Sequence, residues 1–144
     1  MAYCALSDLE NMVASTLLIE LTDDESAGTV NSARIAQAIA DADAVVDGHL
    51  RVRYSVPLAT PVPALIKKLS ADLSLFNLFS RRGAHFELPQ WVRDKNKAAM
   101  DMLKAMRDGN MDVGTEPPPA SSSAQVATYS GPERLFTADT MKDF

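Results

Sequence analysis

Residues 64–80, "ALIKKLSADLSLFNLFS", decide the predicted fold because their apolar side chains recur at helical spacing and occupy most of the helix surface. The large apolar side chains on this predicted surface are Leu65, Ile66, Leu69, Leu73, Leu75, Phe76, Leu78 and Phe79. Only a narrow stripe is predicted to be polar, and it consists of Lys67, Ser70, Ser74, Asn77 and Arg81. A helix with so little polar surface is buried on most sides, so we expect it at the centre of the molecule.

A second long helix precedes the central one and is predicted to open at Asn31 or Ser32. Its apolar positions follow one another at intervals of four, three, four and four residues: Ile35, Ile39, Ala42, Val46 and Leu50. This spacing places them on one face, so the segment is predicted to be an amphipathic helix and the longest of the chain. Asp43, Asp47 and Arg51 are expected on a more polar face, with Asp47 and Arg51 as a surface ion pair.

Shorter helices are predicted before this segment. Ser7 with Asp8 and Glu10 fits a capping box, which predicts a helix over about residues 7–13. Ser15 is predicted to cap a second short helix that stops at "TDDESAG", residues 22–28, because Asp, Ser and Gly favour turns.

Proline spacing ends the second long helix and starts the last one. Pro57, Pro61 and Pro63 predict an extended connector because they lack amide hydrogens and disfavour helix in the preceding residue. Pro89 suits the first turn of a final helix, which Gly109 ends. The core face of that helix is predicted to be Val92, Ala99, Met102, Leu103 and Met106. Residues 1–109 are therefore predicted to form an all-α bundle of four to five helices.

Residues 110–144 are predicted to be an extended C-terminal arm. The stretch "PPPASSS" at 117–123 has nothing to bury, yet large apolar side chains return at the end of the chain: Leu135, Phe136, Met141 and Phe144. Because burial offsets the entropy lost on ordering, we expect these four side chains to dock in an apolar groove. The groove can belong to a neighbouring molecule or to the body of the same chain.

The charges are segregated along the chain. Residues 1–50 carry nine acidic side chains and only Arg34 as a base, a formal charge of −8, whereas residues 51–107 carry eleven basic and four acidic side chains, a charge of +7. Two interpretations stand at this point. The charges cancel inside one monomer, or acidic and basic surfaces of neighbouring copies meet head to tail, with Arg81 and Arg82 in the interface.

The sequence offers little for catalysis or for binding a metal or cofactor. His49 and His85 have no cysteine or carboxylate at the spacing of a zinc site, and Cys4 is the only cysteine. The carboxylates of the 23–25 turn and of Asp41, Asp43 and Asp47 are interpreted as solvated surface charges. We therefore expect no enzyme, no metal and no cofactor. Without a long apolar run or a signal-peptide pattern, a cytoplasmic, soluble protein is expected.

Basic clusters keep a second class of function open. "HLRVRY" at 49–54, Lys67 with Lys68, and Arg81 with Arg82 can contact phosphates. The alternative is accordingly a small helical DNA-binding or regulatory protein, which would bind duplex DNA with a sequence preference and a salt dependence. No recognition helix or aromatic stacking platform is apparent in the sequence. Contact with passing DNA, without sequence specificity, requires less of the protein and stays open.

Several of these segments together resemble one family. They are the opening "SDLE", the turn "LTDDE", the helix "AIADADAVVDG", the segment "RYSVPL" with its spaced prolines, and the "RR" that closes the next helix. The combination, over roughly residues 3–108, is similar to the Mu-like phage head-tail connector family of Mu-type phages and prophages. The ending "FTADTMKDF" also resembles endings in that family.

The resemblance implies a mechanical role. Such connector, or head completion, proteins assemble beneath the portal of a tailed phage as a ring, usually of about twelve copies, after DNA packaging. They extend the DNA channel, help to retain packaged DNA and offer a docking surface to a tail or neck protein. By this resemblance the chain is expected in the virion neck after synthesis in the host bacterial cytoplasm, with the portal protein as a partner and no membrane.

Overall fold

The computed structural model describes residues 2–82 and 87–114, and all regular secondary structure in those ranges is helical. The five helices are α1 (Leu6–Glu10), α2 (Ser15–Thr22), α3 (Ser32–Leu50), α4 (Ala64–Arg81) and α5 (Gln90–Asp108). The predicted all-α class with four to five helices is confirmed. None of the described helices combines the length and apolarity that a membrane span requires.

Helix α4 lies at the centre of the bundle, as predicted. Helices α3 and α5 pack against it and against each other, while α1 and α2 cover it from another side. Because α4 has neighbours on so many sides, small polar residues such as Ser70 and Ser74 are buried beside Leu69 and Leu78. The central position follows from the wide apolar surface of residues 64–80.

The core has two parts that share α4. One part joins the later half of α3 to the later half of α5 and includes Leu50, Leu69 and Leu103. The other joins α1 and α2 to the first half of α3 and includes Leu18, Ile39 and Leu78. The five apolar positions predicted for α3 are all buried, which confirms that the segment is an amphipathic helix.

The predicted starts of α1 and α2 are wrong by one or two residues. Ala5 is the N-cap of α1 and Ser7 lies inside the helix, whereas Ala14 precedes α2 and Ser15 is its first residue. The physical reason at α1 is that Asp8 Oδ2 accepts a 2.8 Å hydrogen bond from the Ala5 amide. The carboxylate three residues into the helix thus satisfies the cap amide without a serine at the cap.

The start of α3 and the end of α5 agree with the sequence. The Asn31 side chain accepts a hydrogen bond from the Arg34 amide at 3.2 Å, so Asn31 is the N-cap. Gly109 ends α5 in the left-handed region at φ +84°, a conformation that glycine adopts without strain. Helix α3 is nonetheless not longer than α5, since both contain 19 residues.

The proline-containing connector from 51 to 63 carries turns and bends, with cis peptide bonds before Pro57 and Pro61. Residues 110–113 follow α5 back onto the body: the Tyr54 hydroxyl donates to Asp112, and Val113 is 3% exposed. The first residues of the predicted arm therefore pack against the bundle. The predicted docking side chains Leu135, Phe136, Met141 and Phe144 lie outside the described residues.

Candidate functional site

The end of α4 meets the end of α2 in a cluster that we name the arginine clamp, formed by Asp24, Arg34, Arg81 and Arg82. Asp24 accepts two hydrogen bonds from Arg81, at 2.7 and 3.0 Å. Its carboxylate also lies 3.1 Å from Arg34 and 3.1 Å from Arg82. One carboxylate is therefore shared by three guanidinium groups, one from α3, one from the last residue of α4 and one from the residue that follows α4.

The same guanidinium groups bind main-chain carbonyls at the C-terminal end of α2. Arg81 donates to Leu21 O and Arg34 to Thr22 O, each at 2.5 Å. Arg82 donates to the carbonyls of residues 20 and 23. The last carbonyls of a helix lack partners within the helix and carry partial negative charge, so cations are favoured there. The clamp is thus a three-arginine cap on α2.

The turn after α2 is ordered by Asp23. Its carboxylate accepts hydrogen bonds from the amides of Glu25, Ala27 and Gly28 at 3.2, 3.0 and 2.6 Å. These amide hydrogen bonds lower the pKa of Asp23. The predicted turn is confirmed over residues 23–28, since Thr22 still belongs to α2, and both of its aspartates have protein donors as partners.

The clamp bears on the two interpretations of the charge segregation. Arg81 and Arg82 come from the basic half of the chain and Asp24 from the acidic half, and they pair inside one monomer. The hydrogen bonds from Arg81 and the nearby guanidinium charges lower the pKa of Asp24 to about 2. The structure thus gives Arg81 and Arg82 an intrachain role, and their role between copies stays a prediction.

A second set of contacts lies inside the bundle, and we name it the buried polar cluster: Tyr3, Cys4, Asp43, Ser70 and Ser74. Asp43 Oδ2 accepts from the Tyr3 amide at 3.0 Å and Asp43 Oδ1 accepts from the Ser70 hydroxyl at 2.5 Å. The Ser70 hydroxyl lies 3.2 Å from the Cys4 sulfur, and the Ser74 hydroxyl donates to Ser70 O at 2.7 Å. The N-terminal segment is thereby hydrogen-bonded to α3 and α4.

The Tyr3 side chain extends this cluster toward the connector. Its hydroxyl donates to Asp47 and accepts a hydrogen bond from the Leu58 amide at 3.0 Å. Tyr3 therefore joins α3 to the proline-containing segment, although it is more than 40 positions from either contact in sequence.

This cluster corrects three predictions. Asp43 was expected on a polar face but is 7% exposed, and Ser70 and Ser74 were expected on a surface stripe but are buried. The physical reason is that the N-terminal segment covers them and supplies hydrogen-bond partners. A signal was present in the sequence, because Asp43 follows Ile39 by four residues and precedes Val46 by three, the spacing of the core face.

The predicted Asp47–Arg51 ion pair is likewise replaced in the structure. Asp47 receives the Tyr3 hydroxyl, and among the described residues no cation lies within 4 Å of its carboxylate. Arg51 is exposed after the end of α3. The Tyr3 hydroxyl, a neutral donor, therefore contacts Asp47 in place of Arg51.

Burial raises the pKa values of the titratable groups in the cluster. It raises the pKa of the Cys4 thiol and of the Asp43 carboxyl, and together with the hydrogen bond to Asp47 it raises the pKa of Tyr3 to about 12. Nucleophilic catalysis by a thiol or phenol requires the opposite shift. The cluster therefore has the chemistry of an anchor for the N-terminal segment.

A buried carboxylate that the sequence did not point to joins α4 to α5. Asp72 is 3% exposed and lies 2.7 Å from Lys68 Nζ and 3.7 Å from Lys95 Nζ. Lys95 also lies over the ring of Trp91, 5.4 Å from its centre. In the ranges 2–82 and 87–114, no three His, Cys, Asp or Glu side chains are grouped so as to hold a metal ion.

Two comparisons with known proteins match most of the chain. A family model described as "Bacteriophage Mu, Gp36" matches residues 3–128. Gene product J of Escherichia phage Mu is 33% identical over 123 residues, an alignment that covers 85% of this chain and 83% of that protein. The family match includes all five helices, the arginine clamp and the buried polar cluster.

Proposed function

Because this chain belongs to the bacteriophage Mu Gp36 family, we propose that it is a structural protein of a Mu-like phage particle and acts as its head-tail connector. In this role it assembles as a ring of about twelve copies beneath the portal protein. The ring extends the channel for DNA, helps to retain the packaged genome and offers a docking surface to a tail or neck protein. DNA passes through it without sequence-specific contacts.

The family match over residues 3–128 is the observation that carries this proposal, since it covers all five helices. The fold is compatible with a mechanical role. The arginine clamp and the buried polar cluster attach the N-terminal segment and α2 to α3 and α4 by many hydrogen bonds, so the body offers preformed surfaces. Preformed surfaces lose little entropy when they bind.

The mass of the purified full chain, alone and mixed with the portal protein of the same phage, tests the proposal. We expect a discrete complex with one ring for each portal. Purified protein should also restore tail attachment to heads made without it, as seen by electron microscopy. Absence of portal binding, together with sequence-preferring and salt-dependent binding to duplex DNA, would instead support the alternative of a DNA-binding regulator.

The C-terminal arm has its own test. We propose that Leu135, Phe136, Met141 and Phe144 dock on a neighbouring copy or on the portal, because each large apolar side chain contributes about 1.5 to 3 kcal/mol when buried. Deleting residues 131–144 should leave the melting of the bundle nearly unchanged and prevent head completion. Hydrogen exchange distinguishes the alternative, since protected amides at 131–144 in the dilute monomer would mean that the segment folds onto its own body.

A further inference from the structure

A groove runs along the outer surface of α3. It has a volume of about 390 Å³, and small residues line it at four-residue intervals: Ala36, Ala40 and Ala44. Asp43 and Asp47 also line it. A surface of alanines on a helix allows another helix to approach to the short end of the 8 to 10 Å range of interaxial distances.

Gly48 continues the row of small residues by one more turn. A Cβ atom at this position would meet nothing within 4 Å, so packing within the chain does not require glycine there. Glycine weakens a helix relative to alanine, and close approach of another backbone is a common reason for it. The open space beside Gly48 is therefore large enough for the backbone of another helix to approach α3.

The carboxylates on both sides of this row have no cationic partner in the described part of the chain. Asp41 accepts a 2.8 Å hydrogen bond from Gln37, and Asp47 accepts from the Tyr3 hydroxyl. No Lys or Arg of residues 2–82 or 87–114 lies within 4 Å of either carboxylate. We name this surface the acidic strip and define it as Ala40, Ala44 and Gly48 with Asp41 and Asp47.

Helix α5 carries the complementary surface. Arg93, Lys97 and Lys104 lie on its exposed side at helical spacing, and we name them the basic ridge. Lys104 is 3.7 Å from Asp101. Arg93 and Lys97 have no carboxylate within 4 Å among the described residues, which leaves two exposed positive charges one turn apart.

We propose that the acidic strip of one copy binds the basic ridge of a second copy of this chain. The small residues of the strip admit the second helix, and long Arg and Lys side chains reach across them to the carboxylates on either side. This contact rests on the proposed function, since it names the surface through which copies form the ring. It differs from the predicted interface at Arg81 and Arg82, which already pair with Asp24.

The contact is heterologous because the strip and the ridge are different surfaces. Each copy that uses its strip keeps its ridge free for the next copy, so binding continues until a ring closes. The attraction is between exposed charges and should weaken as salt shortens the Debye length from roughly 30 Å at 0.01 M to about 10 Å at 0.1 M. Self-association should therefore be strongest at low ionic strength.

A charge-swap experiment on the full chain tests the contact. Arg93→Glu with Lys97→Glu makes both surfaces acidic, whereas Asp41→Lys with Gly48→Lys makes both basic. Sedimentation at low ionic strength should show self-association at least about tenfold weaker than wild type for each variant alone and recovered association in the mixture, because opposite surfaces then face each other. Lys67→Glu with Arg107→Glu reverses two exposed cations outside both surfaces and changes the net charge as much as Arg93→Glu with Lys97→Glu, so it is the matched control and should associate like wild type.

A crosslinking experiment tests the contact even where association is weak. Ala44→Cys and Lys97→Cys proteins, mixed and oxidised, should give a disulfide-linked heterodimer in clear excess over a mixture of Ala44→Cys with Glu20→Cys. Circular dichroism confirms that each variant is folded. The proposed contact would be wrong if the disulfide-linked heterodimer showed no excess and the charge-swap mixture also stayed dissociated.

Both experiments use this chain alone. If the protein binds the portal but gives neither expected result, the proposed function stands and this interface is wrong. If it gives both expected results but binds no portal, the interface stands and the connector role is wrong. The two outcomes are therefore distinguishable.

Discussion

The arginine clamp and the buried polar cluster do similar structural work with different chemistry. Each attaches an N-terminal element to α4 through an aspartate. In the clamp, the Asp24 side chain is 35% exposed and is surrounded by three guanidinium groups. In the cluster, Asp43 is 7% exposed and is bound by an amide and a hydroxyl, both neutral. One attachment is a partly exposed group of ion pairs, and the other is a buried carboxyl group with uncharged hydrogen-bond donors.

This difference determines how each attachment responds to mutation and to salt. Exposed ion pairs contribute little to stability, and salt screens them. A buried hydrogen-bonded group also contributes modestly while all partners are present, but its removal leaves donors unsatisfied inside the protein. The cluster should therefore be more sensitive to mutation, and the clamp more sensitive to salt.

The largest effect is expected from Asp43→Ala. It leaves the Tyr3 amide and the Ser70 hydroxyl without their acceptor, which should lower the free energy of unfolding by about 2 to 4 kcal/mol. Chemical denaturation measures this change. Reactivity of Cys4 with a thiol reagent should rise in parallel, since its sulfur lies 3.2 Å from the Ser70 hydroxyl.

The control for this prediction is Asp41→Ala on the same helix. Asp41 is exposed and accepts a hydrogen bond from the Gln37 side chain, so the free energy of unfolding should change by less than about 0.5 kcal/mol. Equal effects of the two substitutions would mean that the buried polar cluster does not anchor the N-terminal segment.

A smaller effect is expected from Tyr3→Phe. The phenylalanine keeps the buried ring and loses the hydroxyl that joins Asp47 to the Leu58 amide, a cost of about 1 to 2 kcal/mol at neutral pH. Thermal or chemical unfolding of the two proteins measures it. A loss comparable to that of Asp43→Ala would mean that the hydroxyl, not the carboxylate, is the centre of the cluster.

The pH dependence of the same substitution has a definite sign. Burial raises the pKa of Tyr3 to about 12, above its ordinary value of 10.0, so folding favours the protonated phenol. The stability from this group is complete below pH 10 and is lost as pH rises toward 12. Unfolding measured across this range should show a weaker alkaline decline in Tyr3→Phe than in wild type. Parallel declines would show that Tyr3 does not titrate in this way.

The smallest effect at neutral pH and moderate salt is expected from Asp24→Asn. The arginines keep their main-chain carbonyl partners, so only the shared carboxylate charge is lost. The difference in melting temperature from wild type should shrink as salt is added, unlike that of Asp43→Ala. Glu25→Gln is the control for the loss of one negative charge beside an arginine. Glu25 lies 3.8 Å from Arg34, but its side chain is largely exposed.

Acid titration separates the two attachments further. The pKa of Asp24 is lowered to about 2, so its contribution is complete above the ordinary pKa of an aspartate and is lost as pH falls from about 4 toward 2. Asp24→Asn should flatten this part of the acid unfolding profile measured by circular dichroism. An unchanged profile would show that the carboxylate does not act through the arginines.

The sequence predicted the parts of the fold that depend on local periodicity. Leu69, Leu103 and Val46 were placed in the core because apolar side chains at helical spacing must share a face. The candidate sites were predicted less well, because their partners are far apart in sequence. Tyr3 and Asp43 are 40 positions apart, and Arg81 and Asp24 are 57 apart. No local pattern specifies which of several serines or carboxylates such a donor meets.

The sequence by itself determined the helical class, the central position of α4, a start of α3 at Asn31 or Ser32 and the end of α5 at Gly109, since these follow from side-chain spacing and backbone preference within a few residues. Only the tertiary structure decided which donors meet Asp43 and that Arg81 and Arg82 close on Asp24. Both depend on where separate helices come to rest. Burial and ion pairing are properties of surfaces that meet in space, and packing alone brings those surfaces together.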